Sequence, residues 1–172
     1  MFKLFYPKQQ VDSAYAIPYE HLYETGIRGV IFDIDNTLVR HGEPADERAM
    51  QLFDSFHRMG MQTFLLSNNK EPRVASFAKQ VTSFYLFQGG KPSVRGYEKA
   101  MEQMGTDREH TIFVGDQLFT DIYGANRAGI YSFLVNPIHP KEEIQIVIKR
   151  WFEAIVLYFY HRQERKREER HD

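Results

Sequence analysis

Four polar clusters carry most of the chemistry this chain could perform: Asp33-Ile34-Asp35-Asn36-Thr37, Ser67-Asn68-Asn69, Lys91-Pro92, and Gly115-Asp116 with Asp121 five residues later. Carboxylates gathered in one place repel one another unless a cation neutralises them. Oxygen donors with no His or Cys among them suit a hard ion, which makes Mg²⁺ the natural choice. Each cluster also has a plainer reading. Asp33 and Asp35 could form a turn, which Asp and Asn favour. Ser67 and Asp121 could be helix caps, and Lys91 a surface lysine. His41 and His57 have no partners at ligand spacing and read as surface residues. The absence of cysteine excludes disulfides, thiol catalysis and Cys-based zinc sites.

The clusters follow elements that would position them. Gly29 to Asp33, Met61 to Ser67, Ser83 to Phe87, Thr111 to Gly115 and Tyr131 to Val135 are short, continuous apolar runs and read as buried strands. Between them lie helical patterns. Ala45 to Met59 carries a stripe of Ala49, Leu52, Phe53, Phe56 and Met59 that stops at Gly60. Glu71 to Gln80 has Pro72 in its first turn, where a missing N–H does no harm. Ser93 to Met104 reads as capped by Ser93 and closed by Gly105, and Asp121 to Ala128 as closed by Gly129. Residues 1 to 26 read as loops with a short helix near Glu20 to Glu24. Five alternations of strand and helix predict an α/β domain, a parallel sheet of about five strands with helices on both faces. Ligands of such sheets bind at the carboxyl ends of the strands. All four clusters sit there.

Taken in order, DxDxT, Ser, Lys and GDxxxxD resemble the four motifs of the haloacid dehalogenase superfamily of phosphatases, across residues 29 to 135. IFDIDNTLV, LLSNN, GKP and VGDQLFTDIYGANRAG are similar to its capless IIIA subclass, and there to the bacterial YqeG family, which is related to mitochondrial phosphatidylglycerophosphate phosphatase. The resemblance implies a three-layer Rossmann-like fold and an Mg²⁺-dependent phosphomonoesterase. Asp33 would be the nucleophile that becomes an aspartyl phosphate. Asp35 would protonate the leaving alcohol and then deprotonate water, which is worth about 10²–10⁴-fold. Asp33, the backbone carbonyl of Asp35, and Asp116 would hold the metal. Asp121 would be a further metal-side residue or the partner that orients Lys91, the metal side being preferred. Ser67 and Lys91 would bind phosphoryl oxygens. Asn68 and Asn69 would contact substrate or shape the loop, with a pure capping role as the plainer alternative, and Thr37 would cap its loop. A response-regulator receiver also uses an aspartyl phosphate, but it places the phosphorylated Asp at the third strand, where this chain has Phe87-Gln88-Gly89.

The gaps between motifs bear on substrate. Only 29 residues lie between Thr37 and Ser67, and 23 between Ser67 and Lys91, too few for an inserted lid. An open site admits the end of a large substrate, such as a lipid headgroup in a bilayer or a phosphoprotein. Residues 1–140 read as the core and 141–172 as an amphipathic helix with a charged tail. In that helix Ile144, Ile148, Trp151, Ile155 and Tyr158 form a stripe, widened by Val147, Phe152, Val156, Leu157, Phe159 and Tyr160. Two fates are open to it: packing on the domain, or lying in a membrane interface with Trp151 and Tyr158 at the headgroups, with help from Phe2, Leu4, Phe5 and Tyr6. The tail mixes Lys/Arg with Glu, so its pull on anionic lipid is weak. A net charge of -1 argues against a nucleic-acid field, and no specific nucleic-acid partner is expected. The first residues lack a signal-peptide pattern and no apolar run is long enough to span a bilayer. The expected place is the cytoplasm or the inner membrane surface. Phosphatidylglycerophosphate is the preferred substrate. A soluble phosphomonoester or phosphoprotein is the rival within catalysis, and a ribosome- or RNA-associated binding factor with a residual site is the rival outside it.

Overall fold

The computed structural model describes residues 3–139 and 153–162. Its elements run β1 (Gln9–Val11), α1 (Tyr19–Glu24), β2 (Gly29–Phe32), α2 (Glu47–Met59), β3 (Gln62–Leu66), α3 (Glu71–Val81), β4 (Phe84–Leu86), α4 (Val94–Met104), β5 (Thr111–Gly115), α5 (Tyr123–Ala128) and β6 (Tyr131–Val135). The strands form one parallel sheet in the order β1-β6-β5-β2-β3-β4. From β2 the chain winds outward through β3 and β4, then crosses back to β5 on the other side of β2. The crevice at that reversal, beyond the ends of β2 and β5, is where open sheets of this kind place their ligands.

Side chains alternate across the strands and build two cores. Val30 and Phe32 of β2, Leu65 of β3 and Ile112 and Val114 of β5 point to one face, where they meet Phe53 and Phe56 of α2 and Val74, Phe77 and Val81 of α3. Ile31, Phe64, Leu66 and Phe113 point to the other, against Tyr97, Ala100 and Met104 of α4 and Ala125 of α5. Burying each large apolar side chain contributes about 1.5–3 kcal/mol, which is what holds short, doubly covered strands in place. The three-layer fold expected from the alternation is the one observed.

The differences from expectation are local. Among the described residues the sheet has six strands, one beyond the five apolar runs, because Gln9–Val11 pairs with β6. That segment is polar and short, and only its partner makes it a strand. Ser93 stands at the start of α4 but its side chain makes no capping hydrogen bond. The helix expected from Asp121 begins earlier, with a π-helical turn over Leu118–Ile122 that runs into α5.

Residues 153–162 are helical and dock on the domain. Val156 packs with Leu118, Ile122 and Leu134, joined by Phe5, Tyr6 and Leu157. Tyr160 meets Tyr6 with ring centroids 5.4 Å apart. Of the two fates the apolar stripe left open, packing therefore applies to the inner face of residues 153–162. Ile155, Tyr158 and Phe159 stay 40%, 59% and 44% exposed. Phe2, Ile144, Val147, Ile148, Trp151, Phe152 and the charged tail lie outside the described residues. Among the described residues, no helix is long and apolar enough to cross a membrane.

Candidate active site

Asp33 directly follows β2, and its N–H donates to the Val114 carbonyl at 3.0 Å, so the ladder with β5 continues one residue past the strand. The register pairs Phe32 with Val114. Asp33 and Asp116 therefore leave neighbouring strands almost level, about one strand spacing apart (~4.8 Å). Asp121 comes in from the π-helical turn. Each of the three offers a carboxylate oxygen within 4.8 Å of the others, and all three are buried. The Lys91 Nζ donates to Asp33 Oδ1 at 2.5 Å and to Asp121 Oδ1 at 2.8 Å.

The crevice sets three buried carboxylates against the Lys91 ammonium. Burial makes uncompensated charge expensive. It pushes the Asp33 carboxyl up to about 7, against the pull of Lys91, while Asp121 and Asp35 raise it further. Burial also works against charge on Lys91, but Asp121 and Asp33 outweigh it and hold that ammonium well above the ordinary lysine value. An all-oxygen donor set with excess negative charge and short mutual distances fits a hard divalent cation such as Mg²⁺.

The turn that carries Asp121 is built around it. The Gln117 N–H donates to Asp121 Oδ2 at 3.1 Å, and the Leu118 N–H donates to Glu153 Oε1 of the C-terminal helix at 3.0 Å. The hydroxyl of Tyr97, rooted in the core, reaches the carbonyls of Thr120 at 3.1 Å and Asp121 at 3.0 Å. This packing needs glycine twice. A Cβ at Gly115 would meet Asp121 Oδ2 at 2.5 Å, and one at Gly124 would overlap the Tyr97 hydroxyl. A π-helical turn widens the helix by one residue and is frequent at functional sites. Thr37, expected to cap its own loop, instead points its hydroxyl at Asp116 Oδ1, at 3.4 Å.

Asp35 is held apart from the triad. Its Oδ1 accepts from the Gly42 N–H at 2.8 Å and from Arg73 Nη2 at 3.0 Å, and its Oδ2 from Asn69 Nδ2 at 2.6 Å. Its carboxylate is thus directed at the β3–α3 side of the crevice. Ser67 is buried at the end of β3, and its Oγ accepts from the Asn69 N–H at 3.1 Å. Asn68 grips the backbone of Lys91 from both sides: Oδ1 accepts its N–H at 2.9 Å and Nδ2 donates to its carbonyl at 3.1 Å. The side-chain amide of Asn68 thus holds Lys91, and Asn69 gives a side-chain N–H to Asp35.

His41 and His57 are exposed, as expected; His57 Nε2 lies 3.1 Å from the Thr82 carbonyl and away from the crevice. Reading the sequence missed Arg73, Tyr97 and Glu153. Arg73 did leave a signal: a cation in the first turn of a helix opposes the macrodipole, so something other than helix stability places it there.

The chain is similar to several known proteins. A family model described as haloacid dehalogenase-like hydrolase matches residues 44–129. The probable phosphatase YqeG of Bacillus subtilis is 34% identical over 137 residues, 79% of this chain and 80% of that protein. Phosphatidylglycerophosphate phosphatase 1 of Arabidopsis thaliana is 26% identical across 84% of this chain, and this chain spans 47% of that protein's length. Among solved structures, the cobalt-bound deoxy-D-mannose-octulosonate 8-phosphate phosphatase of Haemophilus influenzae superposes with a TM-score of 0.55 at 19% identity, covering 66% of this chain and 70% of that one.

Proposed function

This chain belongs to the haloacid dehalogenase-like hydrolases and is a phosphatase of that family; from that premise we propose that it cleaves phosphomonoesters through an aspartyl phosphate on Asp33, with Mg²⁺ as cofactor. The observation that carries this reading is the buried Asp33–Asp116–Asp121 triad pinned by Lys91. Asp33, Asp116 and the backbone carbonyl of Asp35 would hold the ion, and Asp121 adds its charge while orienting Lys91. When bound, Mg²⁺ lets an anionic nucleophile approach an anionic phosphate.

The protein's own groups account for the rest. Asp33 attacks phosphorus in line as the bond to the leaving oxygen breaks. Asp35 gives that oxygen a proton, then takes one from the water that hydrolyses the acyl phosphate. Lys91 spends two of its three N–H donors on Asp33 and Asp121 and keeps the third for a phosphoryl oxygen. Ser67 uses its oxygen as acceptor for Asn69, so its hydroxyl hydrogen is available for a second phosphoryl oxygen. The experiment that tests this is trapping with beryllofluoride and Mg²⁺. A fluoroberyllate on Asp33 is expected, and an adduct on another carboxylate, or none, would overturn the assignment.

For substrate we favour a lipid phosphate of the phosphatidylglycerophosphate kind. Three observations support it: the resemblance to a plant phosphatase named for that lipid, short connections that leave the crevice without an inserted lid, and a helix beside the Asp121 turn with Ile155, Tyr158 and Phe159 facing outward. Aromatic and aliphatic side chains on such a face suit a peripheral contact with bilayer headgroups. Phosphate release from phosphatidylglycerophosphate liposomes, set beside a panel of soluble esters, is the test; turnover confined to the soluble panel would refute the lipid assignment.

A further inference from the structure

Arg73 lies outside the four motifs, yet it is built into the crevice. It sits in the first turn of α3 with its side chain 18% exposed, its guanidinium 5.4 Å from the Phe77 ring centre, and its Nε buried without a hydrogen-bond partner among the described residues. Among the described residues it pairs with one acid, Asp35, through Nη2 and Oδ1 at 3.0 Å. A cation kept this dry with a buried donor left unpaired costs stability, so its placement is explained by what it does to Asp35.

The lone pairs of Asp35 show what that is. An ionised carboxylate offers about four acceptor positions, two on each oxygen. On Oδ1 both are taken, by the Gly42 N–H at 2.8 Å and by Arg73, while the exposed His41 ring lies beside it with Nδ1 3.9 Å away, beyond hydrogen-bond distance. On Oδ2 one is taken, by Asn69 at 2.6 Å, and one is open. Neither Arg73 nor a backbone N–H can take up a proton, so Oδ1 has no room to carry one. The proton that leaves Asp35 must therefore travel on Oδ2.

We propose that Arg73 is the positioning residue for Asp35: by saturating Oδ1 together with the Gly42 N–H, it fixes the carboxyl rotation and leaves Oδ2 as the one oxygen that exchanges protons with the leaving group. The proposal rests on the reading of Asp35 as general acid. In the step concerned, an Asp33 oxygen forms a bond to phosphorus and the P–O bond to the leaving group breaks. The leaving oxygen keeps the bonding pair and receives the proton from Oδ2. Without Arg73 the carboxyl can rotate and Oδ1 can hold the proton, pointed at the wrong partner.

The test compares leaving groups. A nitrophenolate departs without protonation, whereas an alkoxide needs it, and kcat/KM reports the steps up to leaving-group departure. Arg73→Gln is expected to lower kcat/KM for an alkyl phosphate by roughly 10–100-fold, a large part of what general acid catalysis supplies. The loss for p-nitrophenyl phosphate is expected to stay within about threefold. Arg73→Lys, which keeps one charged donor, is expected to recover part of the alkyl-phosphate rate and serves alone if the Gln variant does not fold. Asp35→Asn is measured in parallel and should show the same selectivity in stronger form. A selective Asp35→Asn beside Arg73 variants that lose both substrates equally, or neither, would overturn the role given to Arg73 alone. An unselective Asp35→Asn would remove the general-acid reading and the proposal with it.

Discussion

The two apolar layers and the charged crevice above them are built from the same strands but on opposite energetic principles. Below, Phe32, Phe53, Phe56, Phe64 and Phe113 are fully buried, and each contact adds stability. Above, Asp33, Asp116, Asp121 and Lys91 are also buried, and their excess negative charge opposes folding. The lesson is a division of labour. The layers stabilise the fold well enough to hold carboxylates together in a crevice where they would otherwise separate, and the crevice gives up stability for reactivity.

That comparison can be broken most sharply at Asp33. Asp33→Asn is expected to lower phosphatase kcat by at least about 10³-fold, because a carboxamide cannot serve as the nucleophile. Thermal unfolding of the metal-free variant at pH 8 should show no loss of stability relative to the parent. Destabilisation there would contradict the view that this carboxylate opposes folding. Phe53→Ala should do the reverse, costing about 3–5 kcal/mol in urea unfolding while leaving kcat of the folded fraction near that of the parent. Gly124→Ala tests the join between the regions, since the new methyl group overlaps the Tyr97 hydroxyl that holds the Asp121 turn. About 1–3 kcal/mol of lost stability is expected, together with weaker Mg²⁺ activation in a titration of rate against metal.

Acidity sharpens the comparison further. The folded Asp33 value, about 7, lies above its ordinary 3.8, so the folded protein binds this proton more tightly than the unfolded chain does. The stability so gained is complete below about pH 4 and is lost as pH rises through 7. Metal-free protein should therefore melt lower at pH 8 than at pH 6, and added Mg²⁺ should raise the melting temperature more at pH 8. Asp33→Asn should flatten both trends. The raised lysine value lies above this window and adds no slope within it. The smallest effect is expected at the C-terminal helix. Val156→Ala should cost about 1 kcal/mol from lost contact with Leu118, Ile122 and Leu134. Tyr158→Ser, on the exposed face, should stay within about 0.5 kcal/mol in stability yet reduce flotation with anionic vesicles if that face meets lipid.

Much of the layered fold was legible because its signals are local. Continuous runs such as Val30-Ile31-Phe32 announce strands covered on both faces, and the Ala49–Phe53–Phe56 spacing announces a helix. Gln9–Val11 was not legible, since three mostly polar residues become a strand only by pairing with Phe133, Leu134 and Val135. The π-helical turn at Leu118 was hidden likewise. It depends on Tyr97 and Glu153, which lie far away in sequence and bind its carbonyls and an N–H.

By itself, then, the sequence determined the inventory: which acids, amides and cations stand at the ends of which strands, and that oxygen donors dominate. Residue type and spacing are properties of the chain, and they survive without coordinates. Tertiary structure decided who meets whom. It joined Asp33, Asp116 and Asp121 around Lys91, set Asp35 apart under Arg73 and Asn69, and turned Thr37 toward Asp116. The physical reason is that strand order and register bring distant residues to a few ångströms, and charges and hydrogen bonds act at that range.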